Sequence, residues 1–292
     1  MNILTFDIEE WYTEMVFRGA RDFKFQQYDD MFGKLLDDLN SLRIKATFFC
    51  VGRLAVEFPK VVKMIAERGH DVGCHSNEHT WLNKMDEKSL KKDTIDAIKA
   101  LEDVSGQKVN SYRAPAFSIT QQNKWAFNVL AECGIENDAS IFPTNRDFGG
   151  YKGFPSDNPC VIVHDGASLK EFPICISSLF GKDLAYSGGG YFRMLPYRFI
   201  SNTMKKRNYN ICYFHLNDLI QEKKHLMTKN EYEEYFKEPG SLKNRLIRYV
   251  KGNIGTGDAY GKMSKLLSNN KFVNISEANK LINWNKVSVI NL

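Results

Sequence analysis

The sequence predicts an α/β fold, with a (β/α) barrel over residues 1–220 and a mainly helical C-terminal extension over residues 221–292. Short apolar runs of strand length alternate with longer segments in which apolar residues recur every three or four positions. This alternation is typical of a parallel sheet or barrel in which a helix follows each strand. Beyond residue 221 the chain becomes richer in Lys, Asn and Glu, which indicates an extension packed on the barrel.

The predicted strands and helices follow one another in a regular order. Strands are expected at residues 3–6, 46–51, 71–74, 109–113, just before 138, 171–174 and 210–214. Helices are expected around residues 31–42, 54–65, 89–104 and 121–133, where apolar side chains recur at helical spacing. Gly69 and Gly106 stand where two of these helices should end. A length of 292 residues suits one α/β barrel with an extension.

Composition and charge exclude several classes of protein. The net charge is only +5, and no basic run is interleaved with aromatic residues, so no nucleic-acid partner is expected. No apolar run reaches the roughly 18 residues of a membrane-spanning helix, so no integral membrane segment is expected. The first residues do not resemble a signal peptide, and the six cysteines form no C-x-x-C pair. A cytoplasmic protein with free thiols is therefore predicted.

Two groups of metal-binding or catalytic type follow strands in the first third of the chain. Asp7 and Glu9 stand at the end of the first strand, where alternation places both side chains on one side. His75 and His79 follow the third strand, and a four-residue spacing brings two imidazoles together on one face of a helical turn. Two histidines and a carboxylate with an open position are typical of a hydrolytic metal centre. Each group alone is more often structural or solvated.

Three further residues of this kind follow later strands. Arg113 precedes Ala114-Pro115, where the proline fixes an extended turn, and its guanidinium is suited to binding a carboxylate. Asp138 and His215 close the strands that follow. A lone histidine at such a position is usually a hydrogen-bonded core residue. The five groups recur in one order at strand ends, however, and strand ends of a barrel meet on one face.

This set of motifs resembles the polysaccharide deacetylase family, also known as carbohydrate esterase family four or the nodulation chitooligosaccharide deacetylase homology domain. The segments Arg-Ala-Pro-Ala-Phe-Ser (113–118), Asp-Ala-Ser-Ile-Phe-Pro (138–143) and Gly-Gly-Gly-Tyr-Phe-Arg (188–193) are similar to the branch associated with exopolysaccharide biosynthesis. The resemblance covers residues 3–220 well and the extension more loosely. It implies a distorted, seven-stranded (β/α) barrel, which acts as a metal-dependent hydrolase in carbohydrate metabolism.

The resemblance implies one divalent metal ion, expected to be zinc. Its ligands would be His75, His79 and a carboxylate, which falls on Glu9 or Glu10. Glu9 is favoured because it alternates with Asp7. Many members of the family carry aspartate at this ligand position, so the longer glutamate is a departure. Asp7 matches the family's catalytic base, which takes a proton as activated water attacks an acetamide carbonyl.

The remaining motif positions imply roles in proton transfer and substrate binding. Arg113 matches the arginine that holds the base, His215 the acid that protonates the leaving amine, and Asp138 the carboxylate that orients this histidine. The backbone N–H of Ala116 is expected to bind the oxyanion. Phe117 and Tyr191 are candidates for contact with the sugar, although core packing is the more frequent role for either residue. The residues after His215 are Leu-Asn-Asp, where the related branch often has Pro-Trp-Glu, which puts the substrate-side loop in question.

The expected reaction is removal of an acetyl group from an N-acetylated sugar, an oligosaccharide or a lipid-linked glycan intermediate. One alternative is another C–N hydrolase on this scaffold, acting on a small cyclic amide or imide. A second alternative is a barrel that binds sugar without catalysis, and the occupied motif positions argue against it. The extension offers a third role, in assembly as a homo-oligomer or in docking to a membrane-bound glycan complex.

Overall fold

The computed structural model describes residues 1–18, 22–144, 149–179, 181–221, 225–236 and 238–292. Its strands are β1 (Asn2–Ile8), β2 (Thr47–Cys50), β3 (Asp71–Cys74), β4 (Ser111–Tyr112), β5 (Asn137–Asp138), β6 (Cys160–His164), β7 (Ala167–Glu171), β8 (Ser177–Leu179), β9 (Lys182–Leu184), β10 (Asn210–His215) and β11 (Ser288–Asn291). Its α-helices are α1 (Glu10–Arg18), α2 (Asp22–Ser41), α3 (Gly52–Glu57), α4 (Pro59–Glu67), α5 (Glu87–Ser105), α6 (Ala126–Glu132), α7 (Gly189–Met194), α8 (Tyr197–Lys205), α9 (Leu216–Leu219), α10 (Lys229–Phe236), α11 (Leu242–Asn253), α12 (Ala259–Ser268) and α13 (Ile275–Leu281).

The main sheet has the strand order β10-β1-β2-β3-β4-β5-β7-β6-β11. The seven strands from β10 to β7 all run parallel to their neighbours. These seven strands confirm the predicted parallel (β/α) architecture. β6 then returns antiparallel to β7 as a hairpin, and β11 pairs parallel with β6. A separate antiparallel pair is formed by β8 and β9.

The segment that follows β7 bridges the space between β7 and β10. Tyr209, just before β10, donates its hydroxyl to the carbonyl oxygen of Pro173 at 2.8 Å, and Arg207 donates to that of Ile176 at 3.3 Å. The amide of Ile174 donates at 2.9 Å to the carbonyl of Ile141, beyond β5. Side-chain and loop contacts, instead of strand pairing, therefore join β7 and β10 at the two ends of the parallel run. In this sense the barrel is distorted.

Local sequence explains why the strands and the longest barrel helices form where they do. Residues 3–8 of β1 are all buried, because helices and neighbouring strands cover both faces of the barrel wall. Helix α5 begins after Asp86, whose carboxylate accepts from the amide of Ser89 at 2.7 Å. It ends at Gly106, which adopts φ 67° in the left-handed region and confirms the predicted stop.

The C-terminal extension is mainly helical and contributes directly to the main sheet. The amide of Leu4 in β1 donates to the carbonyl of Val273 at 3.0 Å, and the amide of Val273 donates to the carbonyl of Asn2 at 3.0 Å. β11 adds an edge strand that the sequence analysis did not predict. The division of the chain at residues 220 and 221 stays a prediction. Within the described ranges, no helix combines the length and apolar character needed to cross a bilayer.

Candidate metal centre and proton-transfer groups

The register of the parallel strands brings the predicted groups to one end of the barrel. Asp7 is opposite His215 across β1 and β10, and Asp138 is opposite Tyr112 and Glu171 in its two neighbouring strands. His75 and Arg113 come directly after the last residues of β3 and β4. Because carboxyl ends of parallel strands share one edge, these side chains surround a single site.

Three side chains form a candidate metal centre. The Oε2 atom of Glu9 lies 2.5 Å from Nε2 of His79 and 3.4 Å from Nε2 of His75. One ligand atom from each residue lies within 4.8 Å of the others, a spacing that suits three ligands on one ion. The structure therefore brings together the predicted trio and selects Glu9 over Glu10 as its carboxylate.

The two histidines converge through a loop, which corrects the prediction of a helical turn. Residues 75–81 are not helical, and both Ser76 (φ 64°) and His79 (φ 53°) lie in the left-handed region. The carboxylate of Asp93 on α5 accepts from the amides of Asn77 at 2.8 Å and Glu78 at 3.2 Å. This buried carboxylate replaces helical hydrogen bonds in holding the loop, so that the imidazole centroids are 5.2 Å apart.

The residues of this centre fit a divalent cation. The Nδ1 atom of His75 lies 2.7 Å from the carbonyl oxygen of Arg113, which can only accept, so Nδ1 carries the hydrogen and Nε2 presents a lone pair. Buried Oε2 of Glu9 has no hydrogen-bond partner of acceptable geometry among the described residues. A cation between these atoms would satisfy both. Although burial opposes ionisation, the charges of His79 and His215 hold the pKa of Glu9 well below its usual value.

Asp7 lies beside this centre and is held by Arg113. Nη1 of Arg113 donates at 2.8 Å to Oδ1 of Asp7 and at 2.8 Å to the hydroxyl of Thr5, two residues earlier on the same face of β1. Nε donates to the carbonyl of Ala139 at 3.1 Å, and the guanidinium lies 4.4 Å above the ring of Phe49. Burial works against the charged carboxylate, but the charge of Arg113 lowers the pKa of Asp7. Asp7 is therefore ionised at neutral pH.

His215 faces Asp7 and Glu9 from the end of β10. Its Nε2 lies 3.8 Å from Oδ2 of Asp7 and 3.7 Å from Oε1 of Glu9, and its side chain is 30% exposed. Its Nδ1 lies 3.2 Å from Oδ2 of Asp218. Although burial favours neutral imidazole, the hydrogen bond to Asp218 and the charges of Glu9 and Asp7 raise the pKa of His215 to about 10. A cation on Glu9 would offset part of this negative field.

The contact between His215 and Asp218 corrects the prediction that Asp138 orients the histidine. The buried carboxyl group of Asp138 instead accepts from the hydroxyl of Ser140 at 2.5 Å and is opposite the buried carboxyl group of Glu171 across β5 and β7. Burial, reinforced by the neighbouring Asp138, raises the pKa of Glu171 well above its usual value. Asp138 therefore belongs to a buried carboxyl pair beneath Arg113, in which burial favours the protonated form.

Glu10 also lies near the centre but faces another partner. Its Oε1 accepts from the backbone amide of Asn217 at 3.0 Å, which ties the start of α1 to the start of α9. Burial raises the pKa of Glu10 to about 7 despite the attraction of the His215 charge. Glu10 therefore joins two helices at the site instead of completing the trio of Glu9, His75 and His79.

The three residues expected to bind substrate have different environments. Phe117 is buried, with its ring edge-on to Phe142 at 5.4 Å and to Tyr213 at 5.2 Å, so its predicted contact with sugar is wrong and it is a core residue. Ala116 adopts φ 54° in the turn after Arg113. Tyr191 is partly buried on α7. Oxyanion binding by Ala116 and sugar binding by Tyr191 stay predictions.

Four residues near the site were missed by the sequence analysis: Asp93, Glu171, Arg193 and Asp218. Asp218 had a readable signal, because an acid three residues after the N-cap residue of a helix is typical of a capping box. Its Oδ2 accepts from the amide of His215 at 3.1 Å as well as contacting the imidazole. Asp93 and Glu171 lie within ordinary helix and strand patterns, so their burial was not visible in the sequence.

Comparisons with known proteins match most of this chain to two family models. Residues 3–137 match the family model described as polysaccharide deacetylase, and residues 139–280 match a domain of unknown function, DUF3473. The chain is 37% identical over 125 residues to a peptidoglycan-N-acetylglucosamine deacetylase of Bacillus cereus, which covers 42% of each chain. It is 33% identical over 88 residues to peptidoglycan-N-acetylglucosamine deacetylase PgdA of Listeria monocytogenes. This alignment covers 30% of this chain and 19% of the relative. The chain therefore spans less than half the length of these two relatives.

A solved structure shows the fold over the whole length. A Mycobacterium smegmatis protein described as a polysaccharide deacetylase superposes with a TM-score of 0.65 at 18% identity, and the superposition covers 100% of this chain and 92% of that one. At this identity the likeness concerns the fold alone. Residues 3–137 are thus similar to the polysaccharide deacetylase family and residues 139–280 to DUF3473, within a fold that the solved structure shares over the whole chain.

Proposed function

We propose that this protein is a metal-dependent hydrolase that removes the acetyl group from an N-acetylated sugar and releases acetate. One observation carries the proposal: a trio of metal-ligand type lies beside an aspartate and a histidine that are themselves 3.8 Å apart. Glu9, His75 and His79 form the trio, and Asp7 and His215 both approach it from the barrel strands. Hydrolysis of an amide needs both a base and an acid beside the scissile bond.

The residues divide the reaction between them. A divalent cation held by Glu9, His75 and His79 would supply Lewis-acid polarisation of the substrate carbonyl and of the attacking water. Asp7 is ionised and accepts a proton as the oxygen of water bonds to the acetyl carbon. His215 is protonated and donates its Nε2 hydrogen to the sugar nitrogen as the C–N bond breaks. Acetate and a free amino sugar are the products.

Neighbouring groups keep the base and the acid in their roles. Arg113 occupies Oδ1 of Asp7 and leaves Oδ2 toward His215. Asp218 holds the Nδ1 hydrogen of His215, so that Nε2 faces the site. Ala116, in the turn after Arg113, is the proposed donor of its backbone N–H to the oxyanion, and Tyr191 the proposed sugar contact.

The metal, the substrate and the compartment are parts of the same proposal. Two imidazole nitrogens and one carboxylate suit zinc. The relatives named above act, by their names, on the N-acetylglucosamine of peptidoglycan, and this supports an N-acetylglucosamine oligosaccharide or a lipid-linked glycan intermediate as substrate. Six unpaired cysteines suit a reducing compartment, so we place the reaction in the cytoplasm, within exopolysaccharide biosynthesis.

The test measures acetate released from N-acetylglucosamine oligomers by the zinc-loaded protein. We expect Asp7→Asn to lower the rate by about 10²- to 10⁴-fold while one metal ion per chain is retained. Asp165→Asn, in the exposed turn between β6 and β7, is the matched control and should keep the wild-type rate. Hydrolysis of a small cyclic imide without release of acetate from any oligomer would overturn the proposal.

A further inference from the structure

The carboxylate that holds His215 is itself held by an arginine from another element. Oδ1 of Asp218 lies 3.4 Å from Nε of Arg193, which lies on α7 within the Gly-Gly-Gly-Tyr-Phe-Arg segment. Both side chains are nearly buried, at 7% exposure for Arg193 and 12% for Asp218. A guanidinium at this place balances the charge of Asp218 and restricts the positions its carboxylate can adopt.

The C-terminal extension fixes the orientation of Arg193. Nη1 donates to the carbonyl of Gly252 at 3.1 Å, and Nη2 donates to the carbonyl of Lys251 at 3.1 Å, both in the last turn of α11. These two bonds use the outer edge of the planar guanidinium and leave its Nε atom within ion-pair distance of Asp218. The last carbonyls of a helix otherwise lack partners, which makes this contact favourable for the extension as well.

Two more contacts attach the extension to the backbone around Arg193. Nζ of Lys262 donates to the carbonyls of Phe192 at 3.1 Å, Arg193 at 2.9 Å and Leu195 at 3.1 Å, and so binds the end of α7. Gly255 has φ 70°, and a Cβ atom there would lie 2.4 Å from the carbonyl oxygen of Arg193. The extension therefore contacts both the backbone and the side chain of Arg193.

We propose that Arg193 is a positioning residue for His215 and that residues 251–262 hold it in place, so that the extension completes the proton-donating half of the site. The connection runs from the carbonyls of α11 through Arg193 and Asp218 to Nδ1 of His215. It gives the DUF3473 half of the chain a task in the reaction. The inference rests on the proposed function insofar as His215 is the acid.

The most specific test of this role is a variant that changes no side chain in contact with the site. Gly255→Ala adds one methyl group against the backbone of Arg193 at a left-handed residue and should displace it. Gly257→Ala is the matched control, because a methyl group there would have no atom of the described residues within 4 Å and would meet no left-handed φ. Arg193→Lys and Asp218→Asn interrupt the connection directly, and Asp218→Glu keeps the carboxylate and should restore much of the rate.

The leaving group separates loss of the acid from general damage. Release of 4-nitrophenolate from 4-nitrophenyl acetate needs no proton, whereas release of a sugar amine does. We expect Gly255→Ala, Arg193→Lys and Asp218→Asn to lower kcat on N-acetylglucosamine oligomers by about 10- to 100-fold, part of the full acid contribution of about 10²- to 10⁴-fold. The kcat on 4-nitrophenyl acetate and the metal content should stay within about twofold. Equal losses on both substrates, or no loss on either, would overturn the inference.

A second measurement does not depend on activity. In the full-length protein, the Nδ1 hydrogen of His215 should give a protected, downfield proton resonance in NMR spectra, assigned by its loss in His215→Gln. Gly255→Ala and Arg193→Lys should abolish its protection, and Gly257→Ala should leave it unchanged. If these changes occur in a protein that hydrolyses no acetamide, the proposed function fails but the positioning role stands. Unchanged protection in both variants would refute the positioning role by itself.

Discussion

The two halves of the site are held in different ways. In the half built by residues 3–137, Asp7, Arg113 and His75 are fixed by one another and by adjoining strands, and each side chain is at most 2% exposed. In the half built by residues 139–280, His215 is 30% exposed and depends on Asp218, a helix and the C-terminal extension. The barrel strands thus hold Asp7, Arg113 and His75, whereas elements outside the wall complete the proton-donating half.

The largest effect is expected from removing a ligand in the first half. His79→Ala should lose the metal ion and lower acetate release by about 10³-fold or more, because the cation supplies several kcal/mol of transition-state stabilisation. His79 is only partly buried and lies in a loop, so its removal should spare the fold. Elemental analysis and acetate release on the same samples measure both quantities.

The exposed His225 provides the control for this prediction. His225→Ala removes an imidazole that is 57% exposed and should leave both metal content and rate unchanged. A His79→Ala protein that still carries one metal ion per chain would show that the trio of Glu9, His75 and His79 is not the metal centre.

The second effect separates the two halves. His215→Gln should retain the metal ion and lower kcat on N-acetylated sugars by about 10²- to 10⁴-fold, because the general acid is lost. Hydrolysis of 4-nitrophenyl acetate should change little, since that leaving group needs no proton. Steady-state kinetics on both substrates, with metal content measured in parallel, check this prediction. A parallel loss on both substrates would mean that His215 serves the metal-binding half as well.

The same division explains how much the sequence could predict. Parallel strands converge at their carboxyl ends, so the strand positions alone brought Asp7, His75, Arg113 and His215 together correctly. The His75–His79 spacing fits a helical turn equally well, and nothing in the sequence reveals the left-handed φ angles at Ser76 and His79 that form a loop instead.

Three of the four residues that the sequence analysis missed lie in the second half, for a physical reason. A residue's place at a strand end does not determine what its side chain touches, and so Asp138 was assigned to His215 although it pairs with Ser140 and Glu171. The contacts of Arg193 with the extension join residues 58 and 59 positions apart in the chain. Contacts at that separation depend on the packing of the extension, which a pattern of apolar residues does not encode.

A smaller effect concerns the loop that carries His79. Asp93→Ala removes the carboxylate that accepts from the amides of Asn77 and Glu78, and so leaves the loop less ordered. We expect metal affinity to fall by about 10- to 100-fold, the usual cost of losing groups that orient ligands. Competition with a chelator measures the affinity. Asp96→Ala, an exposed acid on the same helix, is the control, and equal affinities for the two variants would contradict the role of Asp93.

The smallest effect concerns stability at the boundary between the halves. The buried Glu171 keeps its proton to higher pH than the unfolded chain does, because burial and Asp138 raise its pKa. Its contribution to the free energy of unfolding is therefore fully present below the unfolded pKa near 4.5 and is lost as the pH rises toward the folded pKa. One retained proton changes the free energy of unfolding by at most about 1.4 kcal/mol per pH unit.

Glu171→Gln isolates this proton. Glutamine imitates the protonated acid, since it can still accept from the amide of Ile141 and donate to Asp138. Other groups, among them Asp7 with its lowered pKa, shift stability in the opposite sense, so the informative quantity is the difference between variant and wild type. Urea unfolding from pH 5 to 8 should show the variant gaining stability relative to wild type as the pH rises. The exposed control Glu136→Gln should show no such gain, and parallel curves for wild type and Glu171→Gln would mean that the carboxyl pair beneath Arg113 retains no proton.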